Sequence, residues 1–295
     1  MTTIVQAFDT LRQSLELTAE ENTNASNQAK NLRAELNTRL GGITRDFISG
    51  SFGRRTAIRP LHDIDIFLVL DRAKHADVYP SATVKLSAVL KKVQAALVAA
   101  YPHNTVRLQT RSVNIVFASP AVGYDVVPAF DTSDGQFMIP DRDPDRNEWI
   151  NTNPEAHKKA LADANTRAGS KLDALIKMAK HWKSKSGTKI RSFHLEVMAY
   201  GAFKSPPVAY PEGLRDLFSF LATSVLSSCP VPAGIGGPNI DAAMTQAERT
   251  IIRTALAQAA ENATKAIALN AAGRIDEAHA IWCGLLGPVY PERGR

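Results

Sequence analysis

Cysteine is scarce in this chain: Cys229 and Cys283 are its only two, far apart and without a neighbouring histidine pair. That excludes a disulfide framework and a Cys/His zinc site, and it fits a reducing cytoplasm. Long apolar runs are missing too. No stretch approaches the roughly 20 residues of a membrane-spanning helix, and Met1-Thr2-Thr3-Ile4 lacks a basic region followed by an apolar block, so a cytoplasmic protein with no membrane partner is expected. The absence of internal repeats and low-complexity tracts sets repeat architectures aside.

What is present is an ordinary globular composition. The 295 residues are 44% hydrophobic, enough for one sizeable core or two modest ones, which favours a catalytic unit of two packed subdomains. The formal charge of +6 suits a polyanionic ligand, nucleotide or nucleic acid, without choosing between them.

Ile4, Phe8, Leu11 and Leu15, then Leu32, Leu36 and Leu40, recur at helical spacing, predicting a long amphipathic N-terminal helix or two in series, ended by Gly41-Gly42. From residue 43 to 130 the pattern turns to short strands over 64–70, 105–109, 112–117 and 122–127, with one helix from Ser81, as N-cap, to Ala100. Residues 141–145 read as a solvated charged loop. Helices are expected over 153–184, 192–203, 241–270 and 274–286, with loops at 206–207 and 229–238.

The most informative stretch runs from Gly50 to Leu70. Side chains two apart on a strand share a face, so Asp63 and Asp65 project together toward one point. Adjacent carboxylates repel unless a cation lies between them, and Mg²⁺ held by such a pair plus substrate phosphates suits phosphoryl transfer. The plainer alternative is an acidic turn that opens a strand. Against it stands Ile66-Phe67-Leu68-Val69-Leu70, a continuous apolar run that marks a central strand buried on both faces and puts acids at its edge in a cleft. Gly50-Ser51 offers backbone N–H groups and a hydroxyl to a phosphate. Arg54, Arg55 and Arg59 either screen triphosphate charge or form a solvated face. Asp125 sits among β-branched and aromatic residues in Val122 to Phe130, where burial demands a cation or a hydrogen bond; metal ligation and an arginine ion pair both satisfy that.

These residues resemble the DNA polymerase β-like nucleotidyltransferase superfamily, with its Gly-Ser turn, Asp-x-Asp strand and third acid on a later strand. Within it the chain resembles the bacterial CD-NTases, the cGAS/DncV-like enzymes with SMODS domains that act in CBASS anti-phage defence. The likeness extends through Tyr124 to Ala129, Trp149 to Pro154, Leu175 to Lys183, Arg191 to Glu196, and Glu277 through Pro288, most of the chain.

The resemblance implies a mixed α+β fold: a polymerase β-like core with a mixed sheet and long N-terminal helix over residues 1–145, and a C-terminal helical bundle over 146–295 that closes the nucleotide cleft. It implies catalysis and metal binding by Asp63, Asp65 and Asp125, with two Mg²⁺ ions, replaceable by Mn²⁺, about 3.5–4 Å apart. Gly50, Ser51, Lys180 and Ser192 would contact the donor triphosphate, and Phe193 would stack on the donor base. By residue pattern alone, Lys180 lies at the edge of the stripe Leu172, Leu175, Ile176, Ala179 and Trp182, where a solvated lysine is the ordinary reading, and Phe193 reads as a core aromatic. Lys183 and Lys185 read as surface charges.

The implied substrates are ATP and other nucleoside triphosphates, and the implied product is a cyclic di- or trinucleotide read by a CBASS effector. Regulatory partner proteins are compatible, DNA activation is not expected without a zinc-bearing insert, and a monomer is assumed. Two other readings compete: a template-independent transferase acting on RNA ends or a small acceptor, and an inactive nucleotide- or RNA-binding scaffold. Asn114, Asn151 and Asn153 are candidates for base contact, or else a strand residue and loop caps. The tail Pro291 to Arg295 reads as free.

Overall fold

The computed structural model describes residues 2–81, 84–118, 121–145, 147–232 and 239–291. The loop expectation for 233–238 and the tail beyond Pro291 lie outside the described residues.

Two capped helices open the chain. α1 (Ile4–Leu15) and α2 (Ala19–Leu40) each start with a capping box, Thr3 with Gln6 and Thr18 with Glu21, in which side chain and backbone satisfy each other's N–H groups. The helical segment is thus two in series, and α2 stops at Gly41, whose φ of 59° continues no right-handed helix.

There follow β1 (Ile43–Ser49), the single-turn α3 (Gly50–Gly53), β2 (Asp63–Leu70), α4 (Leu86–Ala100), β3 (Val106–Leu108), β4 (Val113–Val116), β5 (Gly123–Asp131), β6 (Phe137–Asp141) and β7 (Glu148–Thr152). The sheet order is β1-β2-β5-β4-β3, with β6 pairing the end of β5 and β7 pairing β6. β2 and β5 run parallel and the other pairs antiparallel, so the sheet is mixed, as expected.

β2 shows why the acids sit where they do. Ile64, Ile66, Leu68 and Leu70 point into a core shared with α2 and α4, while Phe67 and Val69 pack on the opposite face with Val127, Ala129 and Phe137. Asp63 and Asp65 share that second face by the period of two, and on β5 so does Asp125 with Val127 and Ala129. The acids therefore form the polar opening of a face that is closed farther along by packed side chains.

The helical half comprises α5 (Pro154–Arg167), α6 (Leu172–Ser186), α7 (Ser192–Ala199), α8 (Tyr210–Ser224), α9 (Gln246–Ala271) and α10 (Ile275–Leu286). Its core takes in the apolar stripe of α1: Phe8 stands edge-on to Trp282 at 4.7 Å and to Tyr290 at 5.6 Å. α1 thus packs with the C-terminal helices and α2 with the sheet, tying the two halves together through the N-terminal segment.

Three expectations are corrected. α4 begins at Leu86, with Lys85 rather than Ser81 at its N-cap position. Residues 141–145 are not wholly a solvated loop: Asp141 ends β6 fully buried, with Arg111 donating to its Oδ2 at 2.9 Å, and β6 and β7 add a hairpin that the charged sequence concealed. The helical run over 153–184 is broken between α5 and α6 at Gly169 and Ser170, both with φ of 60°.

Candidate active site

Register brings the acids together. Asp65 lies opposite Asp125 across the parallel β2–β5 pair, and Asp63 lies opposite Gly123. A Cβ built on Gly123 would stand 2.7 Å from Asp63 Oδ1, so this glycine leaves room for the Asp63 carboxylate. On the other side of β5, Asn114 of β4 pairs with Asp125 and donates its Nδ2–H to Asp125 Oδ1 at 2.8 Å. Asn114 is therefore a carboxylate-orienting residue.

The Gly-Ser turn closes over the same point. β1 delivers Ser49 opposite Asp65, and the chain then turns at Gly50 with φ of 62°. A Cβ there would fall 1.6 Å from Asp65 Oδ2, an impossible contact, so only glycine lets the turn sit against the carboxylate. Ser51 O is occupied by the N–H groups of Thr56 and Ala57.

The charges repel as the spacing requires. Burial pushes the Asp65 carboxyl up to about 6, and the Asp125 and Asp63 charges push the same way against the nearby Arg54. Asp125 is raised as well, by burial first and also by Asp63, while the hydrogen bonds from Asn114 and Gln109 oppose the rise. Such crowding of carboxylates is what a divalent cation relieves. Among the described residues no three acidic, histidine or cysteine side chains are grouped so as to hold a metal ion by themselves; substrate phosphates would have to supply the remaining ligands.

Two chambers meet at the acids. One, of about 630 Å³, is lined by Ser51, Asp63, Lys180, Lys183 and Ser192 together with Asp65 and Asp125. The other, of about 670 Å³, reaches from the same Asp65 and Asp125 toward Gln109, Ser112 and Arg191. Two substrate-sized spaces sharing a pair of carboxylates suit a donor on one side and an acceptor on the other.

The remaining candidates divide. Lys180 lines the first chamber, yet it is buried and its ammonium is already engaged, donating to Thr56 O and Oγ1 at 3.0 Å each and to Glu196 Oε2 at 2.6 Å. Burial lowers its pKa, and Glu196 counters that. Neither a solvated lysine nor a free phosphate ligand describes this arrangement. Arg54 bonds the other oxygen of Glu196 at 2.5 Å, and Tyr200 donates to that same oxygen at 3.2 Å. Burial alone would raise Glu196, but Lys180 and Arg54 bring it down to about 2.

Phe193 is half-buried, with Arg54 Cζ 4.9 Å from its ring centre and the His157 ring edge-on at 5.2 Å. His157 is held down to about 4, by burial and then by the Arg54 charge. Arg59 pairs with Glu21 at the cleft rim. Lys183, read from sequence as a surface charge, instead lines the first chamber and donates to Ser192 Oγ at 3.1 Å. Asn153 caps α5 through Ala156 N, and Asn151 is exposed on β7.

Residues 1–165 match the family model of the Second Messenger Oligonucleotide or Dinucleotide Synthetase (SMODS) domain, more than half of the chain. The chain belongs to the SMODS family. Among curated proteins it is 28% identical over 269 residues to the cyclic AMP-AMP-AMP synthase of Acinetobacter sp. (strain ATCC 27244 / 9458), covering 83% of this chain and 72% of that one. It is 26% identical to a probable cyclic nucleotide synthase of Bacillus cereus (strain VD146), over 82% and 81%. Among solved structures, E. coli MS115-1 CdnC with ATP superposes with a TM-score of 0.76 at 21% identity, covering 97% of this chain and 98% of that one. Vibrio cholerae DncV, a cyclic AMP-GMP synthase captured with a linear intermediate, superposes at 0.78 and 15% identity, over 98% and 97%. The SMODS chain is thus a CD-NTase-type nucleotidyltransferase, an enzyme that makes cyclic oligonucleotides, and its fold is the DncV-like one.

Proposed function

We propose that this SMODS enzyme joins ATP-derived nucleotides into a cyclic di- or trinucleotide, releasing pyrophosphate at each transfer, through Asp63, Asp65 and Asp125. The observation that carries the reading is the pairing of Asp65 with Asp125 at the mouth of one sheet face, with Asp63 beside them and a chamber on each side. Two Mg²⁺ ions, with Mn²⁺ as a substitute, fit the donor set, because burial first and then neighbouring carboxylate charge raise Asp65 and Asp125, a cost that a bound cation offsets. When bound, the metal would activate the attacking hydroxyl and neutralise charge on the donor phosphates.

The chain's own residues supply the positioning. Ser51, Ser192 and Lys183 line the chamber that suits the donor triphosphate, and Gly50 lets the turn approach. Asn114 holds Asp125 in one orientation, on the side toward the acceptor chamber. A ribose hydroxyl of the acceptor attacks the donor's α-phosphorus in line and pyrophosphate leaves; the linear product then turns so that its free hydroxyl attacks the remaining triphosphate. Lys180 supports the donor chamber from behind through Thr56; Phe193, which lines neither chamber and carries the Arg54 guanidinium on its ring, would have to give up that contact to stack on the donor base.

Two of the relatives are named cyclic AMP-AMP-AMP synthases, so ATP is the first substrate to offer and a cyclic triadenylate the first product to seek. Such a product would act on a CBASS effector in the cytoplasm. The CdnC relative has been solved in a complex with a HORMA protein, and a regulatory protein of that kind is the corresponding partner proposed here. The protein is incubated with the four nucleoside triphosphates and Mg²⁺, treated with phosphatase and analysed by mass spectrometry. Phosphatase-resistant cyclic product supports the reading, RNA-dependent incorporation replaces it with the end-transferase reading, and no turnover, with or without a HORMA-type regulatory protein added, overturns it.

A further inference from the structure

A separate recess of about 580 Å³ lies behind α7, between the turn after α6, the segment around Ile240 and the first turns of α9. Its size falls in the range of small-molecule sites, roughly 300–1,000 Å³. The floor is apolar: Ile240, Met244, Ile252 and Ala255 line it, and Ile251 at the edge, 68% exposed, extends the apolar surface outward. One wall is His194, only 1% exposed, whose Nε2 has no hydrogen-bond partner among the described residues. A buried polar atom left unpaired is unfavourable, and a ligand group reaching it removes that cost.

The rim carries charge of both signs, Lys189 and Arg191 against Asp241 and Glu248. Lys189 and Arg191 are exposed there. The acids nearby are already committed: Asp241 accepts from Arg249 and from Cys229 N, and Glu248 closes the capping box of α9 with Thr245. The recess thus joins an apolar floor to cationic groups and an orphaned histidine nitrogen.

Arg191 also lines the chamber shared by Asp65 and Asp125, and its neighbour Ser192 lines the opposite chamber. We propose that the recess is a second ligand site, taking a small organic anion whose apolar body covers the floor and whose acidic group meets Lys189 and Arg191. Its occupancy inhibits synthesis by drawing the Arg191 guanidinium away from the nucleotide chamber. The binding half stands on the recess alone; the inhibition half rests on the nucleotidyl transfer proposed above.

The test uses the full chain and the fluorescent aromatic sulfonate 1-anilinonaphthalene-8-sulfonate as probe. A saturable, one-to-one rise in fluorescence is expected, weakened at least tenfold by Ala255→Trp, which fills the floor, and likewise by Ile251→Glu, which places a charge at an exposed position that does not threaten folding. Cyclic product formation from ATP should fall with the same midpoint as binding in the wild type and resist the probe in Ala255→Trp, which retains basal synthesis. No saturable binding, or binding that both variants leave unchanged, overturns the site. Binding with undiminished synthesis overturns the coupling. Should the protein make no product at all, the transfer reading fails while the titration still decides the site, and the coupling is then read from ATP affinity, which the bound probe must lower.

Discussion

Replacing Glu196 by glutamine should strand two buried cations at once, although the two side chains have the same shape. The Glu196 carboxylate is wholly inaccessible and accepts from Lys180, Arg54, Thr56 and Tyr200. Burial alone would raise its pKa; Lys180 first, and then Arg54, reverse that and bring it from 4.5 to about 2. At about 1.4 kcal/mol per unit, a drop of that size corresponds to about 3 kcal/mol of stabilisation, which agrees with the ~3–5 kcal/mol lost when one partner of a buried pair is removed. For a chain of this length, with an unfolding entropy of about 0.6 kcal/mol/K, the loss should lower Tm by about 5–8 °C. Because the folded-state pKa is depressed, the stabilisation is complete above about pH 4.5 and fades as pH falls toward 2, so wild type and variant should converge over that window. Adding Lys180→Met to Glu196→Gln removes one stranded charge and should recover part of the loss. Circular dichroism melts at pH 7.5 and in steps below pH 4.5 test this. A Glu196→Gln protein melting within about 2 °C of wild type at pH 7.5 would refute the claim that this carboxylate compensates two buried cations.

Gly50→Ala should be more damaging than an ordinary glycine change, because its Cβ would overlap Asp65 Oδ2 and the backbone has a positive φ; synthesis should fall by more than about 100-fold, about 2.7 kcal/mol of barrier, and wild-type turnover would contradict the geometry. Asn114→Ala frees Asp125 from its 2.8 Å hydrogen bond, and turnover should drop about 10-fold or more with little change in KM for ATP, as initial-rate kinetics will show. Asp65→Asn removes a carboxylate whose pKa is raised to about 6. An acid raised in the folded state destabilises the fold once ionised, so in EDTA at pH 7.5 this variant should melt higher than wild type, by about 1–3 kcal/mol after allowing for its partial exposure. The advantage should shrink as pH falls from about 6 to 4, and synthesis should be abolished. An equal or lower Tm in EDTA would count against repulsion among the acids.

Much of the site was legible because it depends on short-range rules. The period of two put Asp63 and Asp65 on one face, and the apolar run after them identified a strand buried on both sides; Leu68 and Val69 are indeed fully buried. The pairing of Asp65 with Asp125, 60 residues later, followed from family resemblance rather than from spacing. What stayed hidden depends on contacts between distant segments. Nothing local marks Lys180 as the partner of Thr56 and Glu196, or Asn114 as the donor to Asp125, since each is fixed by register or by docking of α6 and α7 on the turn after α3. Lys183 looked like one of several solvated lysines, and only helix phase turns it toward Ser192. The β6–β7 hairpin was masked by Asp141, an acid that burial would forbid without Arg111. Ser81 had the right chemistry for a cap, but the apolar face of α4 begins only at Leu86.

Function here depends on three acids from two adjacent strands gripping divalent ions beside a triphosphate. The most direct measurement is a crystal structure of the protein with Mn²⁺ and a non-hydrolysable ATP analogue, with anomalous scattering used to locate the metal. Manganese peaks are expected within about 2.5 Å of carboxylate oxygens of Asp63 and Asp65, with Asp125 sharing one of them and the triphosphate lying along Ser51 and Ser192. A bound nucleotide with no manganese between Asp65 and Asp125 would contradict it.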